Sequence, residues 1–236
     1  MNKSTLKQFL PIITVLVVSF GLIIGLAAWL GGSSMSGNEI ELTSNEQLPA
    51  PLTAEQLEAY EVENTNDMNP VAVLETNMGT IEIELYEDVM PITAGNFKQL
   101  VEEGYYDGIK FHRVIDGFMI QCGDPITKTD DVMRYGTGGP GYAIPDEHVA
   151  GENLTNVRGT ISMANSGPNS GGSQFFINLV DNTNLDFDKQ PLSSKHPVFG
   201  QVVAGMDVVD AIGSVDVNPG NNLPLEDVVI TKATIK

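Results

Sequence analysis

Two hundred and thirty-six residues contain a single cysteine, a single tryptophan and three histidines. One cysteine, Cys122, excludes an intramolecular disulfide, and no Cys or His pair has the spacing of a metal ligand set. Bases are scarce too: 12 Lys and Arg stand against 31 Asp and Glu, for a net charge of −19. A surface of that sign repels nucleic acid and anionic lipid, so nucleic-acid binding is excluded as a function. Between Lys7 and Lys98 there is no Lys or Arg at all.

That gap contains the chain's one long apolar run. Residues 9–30, Phe9 to Leu30, carry no charge, and as a helix would span about 33 Å, enough for a ~30 Å hydrocarbon core. Lys3 and Lys7 precede the run and Trp29 closes it. The positive-inside bias then leaves residues 1–8 in the cytosol and exports the remainder. A retained transmembrane anchor is the expectation; a signal cleaved near Gly31 to Ser34 is the alternative, and both place the rest outside the cytoplasm. Residues 31–69 hold eight acids, no base, and prolines at 49 and 51. They read as a flexible acidic linker with too little hydrophobicity for a core.

From Pro70 the texture becomes that of a folded domain, 70–236. Val71 to Thr76, a turn at Asn77-Met78-Gly79, and Thr80 to Tyr86 read as a hairpin, with Ile81, Ile83 and Leu85 alternating against Glu82 and Glu84. Phe97, Leu100 and Val101 at helical spacing, stopped by Gly104, predict a helix over 93–104. A second short helix is expected over 206–212 and a closing strand over 228–235. Many short strands with two helices predict a mainly β fold, a closed antiparallel barrel.

Several motifs invite chemistry that the context denies. Gly136 to Gly141 fits G-x-G-x-x-G, but Pro140 and Pro145 leave no helix for a dinucleotide phosphate. The acids of Asp181 to Asp188 are interrupted by Leu185 and lack the glycine of a calcium loop, so a solvated loop is expected. Ser173 lacks a nucleophile elbow. Asn153-Leu154-Thr155 meets the short glycosylation consensus.

Two segments hold the functional signal. Phe111-His112-Arg113-Val114-Ile115-Asp116-Gly117-Phe118-Met119-Ile120-Gln121-Cys122-Gly123-Asp124 sets one guanidinium among apolar side chains and a neutral amide. A strand here puts Arg113 and Ile115 on one face and His112 and Val114 on the other. Ser162 to Ile177 repeats the mixture of amides and aromatics. An apolar wall with a single strong donor suits a ligand that is mostly hydrocarbon but carries one lone pair, such as a prolyl residue. Together with Gly136 to Glu147 and Lys195 to Val202, these segments resemble the signatures of cyclophilins, a family of peptidyl-prolyl cis–trans isomerases. The resemblance runs from Val71 to Ile235.

The resemblance implies an eight-stranded antiparallel barrel capped by two helices, acting as a monomer on proline-containing peptides and folding proteins without metal or cofactor. It assigns the catalytic role to Arg113 and the walls of the proline pocket to Phe118, Met119, Phe176 and Leu185. Gln121, Asn165 and Gln174 correspond to amides that hold the substrate backbone, His112 and His196 to histidines at the pocket rim, and Ala164 to the small residue shaping the groove. Asn184 stands where the best-known members carry a tryptophan associated with cyclosporin binding, and residues 187–194 lengthen the link between Leu185-Asp186 and Lys195-His196. The competing reading is a proline-peptide binding module or holdase in which turnover is incidental.

Overall fold

The computed structural model describes residues 69–151, 154–189 and 195–236. Among these residues no helix is long and apolar enough to cross a membrane. The expected anchor over 9–30 and linker over 31–69 lie outside them but for Asn69, as does Asn153 of the glycosylation consensus.

The hairpin forms as β1 (Val71–Thr76) and β2 (Gly79–Leu85), joined through Asn77 and Met78 with Thr76 opposite Gly79. Its alternation decides its inner face: Ala72, Leu74, Ile81, Ile83 and Leu85 are fully buried. Gly79 has φ +138°, and a Cβ there would lie 2.6 Å from Val208 Cγ2, so both backbone and packing require glycine. The Asn77 side chain donates to the Asp227 carbonyl and accepts from the Val229 amide, binding the turn to the segment that leads into the chain's last strand.

Helix α1 (Pro91–Glu102) starts two residues before the predicted boundary. Proline at its first turn has no amide to leave unpaired. The Glu147 carboxylate, from a distant loop, accepts from the amides of Ile92 and Thr93 and caps the positive end of the helix. Next come β3 (Arg113–Ile115), β4 (Met119–Cys122), β5 (Thr160–Met163), β6 (Phe175–Asn178), β7 (Val198–Ala204), α2 (Met206–Gly213) and β8 (Ile230–Ile235). Short 3₁₀ turns sit at Pro125–Lys128, Val132–Arg134 and Thr183–Leu185.

All eight strands join one antiparallel sheet in the order β3-β4-β6-β5-β7-β2-β1-β8. The expected closed barrel is corrected here to a half-barrel. β3 and β8 form no ladder; the ends meet through one bridge, Lys110 to Val229, and the bonds from Phe111 N to Val228 O, Gly108 N to Ile230 O and Ile230 N to Ile109 O. The reason lies in β3, which has only three residues and whose central amide, Val114 N, donates to the Asn222 carbonyl of a neighbouring turn. In the register of the Lys110–Val229 bridge, Val114 stands opposite Leu225, before β8 begins, and its amide is already used.

The main core lies on the concave face. Phe97 of α1 sits 4.9 Å from Tyr106, 5.3 Å from Phe175 and 5.3 Å from Phe199, ring centre to ring centre, and all four side chains are fully buried. The Tyr106 hydroxyl donates to the Ser173 carbonyl at 3.0 Å, which satisfies its one polar atom. Cys122 lies in the same core, fully buried, where burial pushes its thiol pKa well up. A thiol reagent is therefore expected to leave the folded protein unmodified and to react once urea unfolds it. Rapid stoichiometric labelling of the native state would contradict this placement.

Candidate active site

Strand alternation sends a second set of side chains to the opposite, outer face of the same sheet. β3 and β4 pair Arg113 with Gln121 and Ile115 with Met119, while β4 and β6 pair Gln121 with Phe176. Directly opposed residues project to one side of a sheet. Between them, Val114, Ile120, Phe175 and Ile177 turn inward to the core. The outer face carries its own small apolar cluster: Met119, Phe176 and Leu185 are buried, with Ile115, Phe118 and Ala164 packed against them. Every pocket-wall position expected from the sequence, Phe118, Met119, Phe176 and Leu185, is in this cluster, and so is Ala164. Ile115 belongs with them; its alternation with Val114 was the available signal.

Arg113 is half-buried at the edge of the cluster. Its Nη1 donates to Gln121 Oε1 at 3.3 Å and lies 3.9 Å from the Met119 sulfur. Among the described residues it makes no ion pair, whereas seven of the other cations each have a carboxylate partner. A guanidinium has five N–H donors, so most of its donor capacity remains available. Burial pulls its pKa below the ordinary value, but arginine stays protonated in proteins. The side chain is thus a permanent cationic donor beside an apolar wall, bonded to Gln121 and without a carboxylate partner among the described residues.

The amides are connected in sequence. Gln121 Nε2 donates to Gln174 Oε1 at 3.0 Å, and Gln174 Nε2 donates to the carbonyls of Gly136 at 3.0 Å and Gly138 at 2.8 Å. The amides of those two glycines donate to Asp124 Oδ2, and Ile126 N donates to Asp124 Oδ1. Asp124 is fully buried. The Gly136–Gly141 motif is therefore a loop held by a carboxylate, with no helix following it, as its prolines required. Asn165 Nδ2 donates to the Lys195 carbonyl at 2.7 Å. Gln121, Ala164, Asn165 and Gln174 together with Gly136 to Pro140 also line a groove of about 460 Å³ beside the apolar cluster.

The two expected rim histidines differ in placement. His196 is partly exposed, its ring edge against Phe176 at 5.3 Å and its Nδ1 3.0 Å from the Met163 carbonyl. His112 is 6% exposed, lies behind Gly136, and neither ring nitrogen has a hydrogen-bond partner of good geometry among the described residues. Burial lowers the pKa of both. With folded-state pKa values below that of the free side chain, the unfolded chain binds protons first. Stability is then flat above about pH 6.5 and falls as pH drops toward 5. Urea midpoints at pH 7.5 and 5.5 should differ more in the native protein than in His112→Gln; equal differences would refute the assignment to His112.

The remaining candidates resolve into structural roles. His148 stacks on Phe187 at 5.2 Å, remote in role from His112, and no cluster of three metal-ligating side chains occurs among the described residues. The loop over 181–188 is not merely solvated. Asp181 accepts from the Arg158 amide, and buried Asp186 accepts from Thr155 Oγ1 and from the Asn156 amide and side chain. Ser173 is buried and donates to the Gly123 carbonyl. Sequence reasoning overlooked Asp124, Asn156 and Asn182, single polar residues in loops that carry no periodicity.

Known proteins resemble this chain in sequence and fold. The family model described as cyclophilin type peptidyl-prolyl cis-trans isomerase/CLD matches residues 71–235. The chain is 44% identical over 155 residues to peptidyl-prolyl cis-trans isomerase-like 1 of Rhizopus delemar, covering 64% of this chain and 84% of that protein. It is 40% identical over 172 residues to a peptidyl-prolyl cis-trans isomerase of Acinetobacter baylyi, covering 71% of this chain and 86% of that one. Other relatives are larger: the chain spans 27% of the length of peptidyl-prolyl cis-trans isomerase-like 2 of Cryptococcus neoformans, at 42% identity over 168 residues and 70% of this chain. The crystal structure of a cyclophilin type isomerase of Cryptosporidium parvum superimposes with a TM-score of 0.60 and 29% identity, over 70% of this chain and 96% of that one. With the family model matching residues 71–235, a stretch that contains the arginine, the apolar cluster and the linked amides, the chain belongs to the cyclophilin-type peptidyl-prolyl cis–trans isomerase family.

Proposed function

We propose that this protein accelerates cis–trans rotation about Xaa-Pro bonds in extracytoplasmic polypeptides, tethered to the membrane by its first 30 residues. The observation that carries the catalytic part is Arg113: a guanidinium without a carboxylate partner among the described residues, bonded to Gln121 and bordering the Met119–Phe176–Leu185 cluster. A solved relative, the Cryptosporidium parvum isomerase, has also been crystallised in the presence of the dipeptide Ala-Pro.

The chemistry follows from the peptide bond. Conjugation between nitrogen and carbonyl sets a rotation barrier of ~18–20 kcal/mol, and Xaa-Pro bonds relax over tens to hundreds of seconds. Twisting the bond ends the conjugation and leaves a lone pair on a pyramidal prolyl nitrogen. In the planar ground state that lone pair is delocalised and accepts poorly. A donor aimed at it therefore binds the twisted state more strongly than either planar isomer, which is the requirement for catalysis. Arg113 supplies the donor. The apolar cluster holds the pyrrolidine ring, and Gln121, Asn165 and Gln174 grip the flanking backbone while the acyl part turns. A ~10⁵-fold acceleration requires about 7 kcal/mol at ~1.36 kcal/mol per decade, and no bond is broken or formed.

Membrane tethering rests on the uncharged run over 9–30, its two preceding lysines and the absence of any Lys or Arg from there to Lys98. Refolding of an unfolded protein whose slow phase is prolyl isomerisation tests the function. Substoichiometric amounts of the chain should shorten that phase. Suppressed aggregation that needs stoichiometric amounts and leaves the phase unchanged would support the holdase reading instead. Protease added outside intact cells should digest the folded domain; protection until lysis would refute the exported placement.

A further inference from the structure

We propose that Asn182 is a positioning residue that sets the width of the proline pocket, and with it the ring the pocket accepts; this rests on the isomerase reading above. Asn182 is 6% exposed and is not one of the residues that line the groove. Its side-chain Nδ2 donates to the Phe118 carbonyl at 2.8 Å, which also accepts from the Leu179 amide at 2.9 Å, so that two donors hold the backbone of one pocket wall. Its own carbonyl accepts from the Leu185 amide at 2.9 Å, starting the 3₁₀ turn that presents another wall. One buried residue thus bonds directly to the backbones of Phe118 and Leu185, whose side chains share the apolar cluster.

Asn182 is itself held on two sides. Its amide N–H donates to the Asn156 carbonyl at 2.7 Å, and its Nδ2 also donates to Asn178 Oδ1 at 2.8 Å. Asn178 donates in turn to Thr160 Oγ1 at 2.9 Å, and lies opposite Met119 in the β4–β6 ladder. Asn156 donates to the His196 carbonyl at 3.1 Å and to Asp186. The spacing between the Phe118 and Leu185 segments is therefore tied to the sheet rather than left to contact between the two side chains. Arg113 and Gln121 hold each other from β3 and β4 and take no part in these bonds. Loss of the Asn182 side chain removes the bonds to Phe118 and Asn178 and keeps the backbone bonds to Leu185 and Asn156, so it should loosen the Phe118 side of the ring's seat while leaving the donor in place.

Ring size reads out that seat. One methylene in a hydrophobic pocket is worth about 10–200-fold in discrimination. The test compares kcat/KM of the full chain for two peptides identical except that proline is replaced by pipecolic acid, its six-membered homologue. The native protein should favour the prolyl peptide, and Asn182→Ala should narrow that preference by at least about threefold, with KM for the prolyl peptide rising more than kcat falls. Each ratio is taken within one sample, so an unfolded fraction cancels. Asn182→Ser, whose hydroxyl is too short to hold both partners, is used if the alanine variant does not accumulate. A preference unchanged from native, with both rates falling equally or not at all, overturns the inference. Failure of the native chain to accelerate even the prolyl peptide overturns the isomerase reading itself.

Discussion

Replacing Arg113 by alanine should lower kcat/KM for an Xaa-Pro peptide about 10²–10³-fold, by analogy with the loss of a single oxyanion donor, ~2.7–4 kcal/mol. The loss should fall in kcat with KM nearly unchanged, because the interaction exists only in the twisted state. Fold and ring binding should survive, since Arg113 is half-buried and the cluster of Met119, Phe176 and Leu185 packs without it. Arg113→Lys should recover only part of the loss. An ammonium keeps the charge but lacks the planar fork that bonds Gln121 and still offers donors to a substrate. If the alanine variant keeps its kcat while peptide affinity falls, the guanidinium is a binding group and the mechanism is wrong.

Phe97→Ala should cost about 3–5 kcal/mol of stability, out of the ~5–15 kcal/mol usual for a domain. Phe97 is fully buried among Tyr106, Phe175 and Phe199, and α1 lies against β7 and β8, so the cavity would open at the centre of the half-barrel. Urea unfolding should show the midpoint falling with little change in slope. The part that remains folded should isomerise at close to the native rate. That separation follows from β6, where Phe175 faces the core and Phe176, the next residue, faces the pocket. A loss below about 1 kcal/mol would mean that the aromatic cluster is not the centre of the core.

Much of this arrangement was legible in the chain. The alternation of Ile81, Ile83 and Leu85 with Glu82 and Glu84 gave the first hairpin, and helical spacing around Phe97 gave α1. Arg113, Phe118, Met119 and Gln121 were picked out by the resemblance of their order to the cyclophilin signature, and the β3–β4 pairing, which the chain alone did not announce, is what puts Arg113, Met119 and Gln121 on one face. Barrel closure was not legible. Periodicity tells which face of a strand is buried, and says nothing of whether two edge strands meet; that was decided by the length of β3 and by a turn carbonyl at Asn222. Asp124, Asn156 and Asn182 were hidden for a related reason. A polar residue in a loop is usually solvated, and only the folded backbone reveals that these three are buried and hydrogen-bonded. His112 illustrates the limit from the other side: its sequence neighbours placed it at the site, but not how deeply it sits.

The central claim, that this pocket turns Xaa-Pro bonds over through Arg113, is tested most directly by two-dimensional exchange NMR on a short Ala-Pro peptide. Cis and trans signals give the exchange rate, and line broadening in the same titration gives binding. The account predicts exchange peaks with catalytic amounts of the native chain, and binding without exchange in Arg113→Ala. Binding without exchange in the native chain as well would contradict it and leave a proline-peptide binding module.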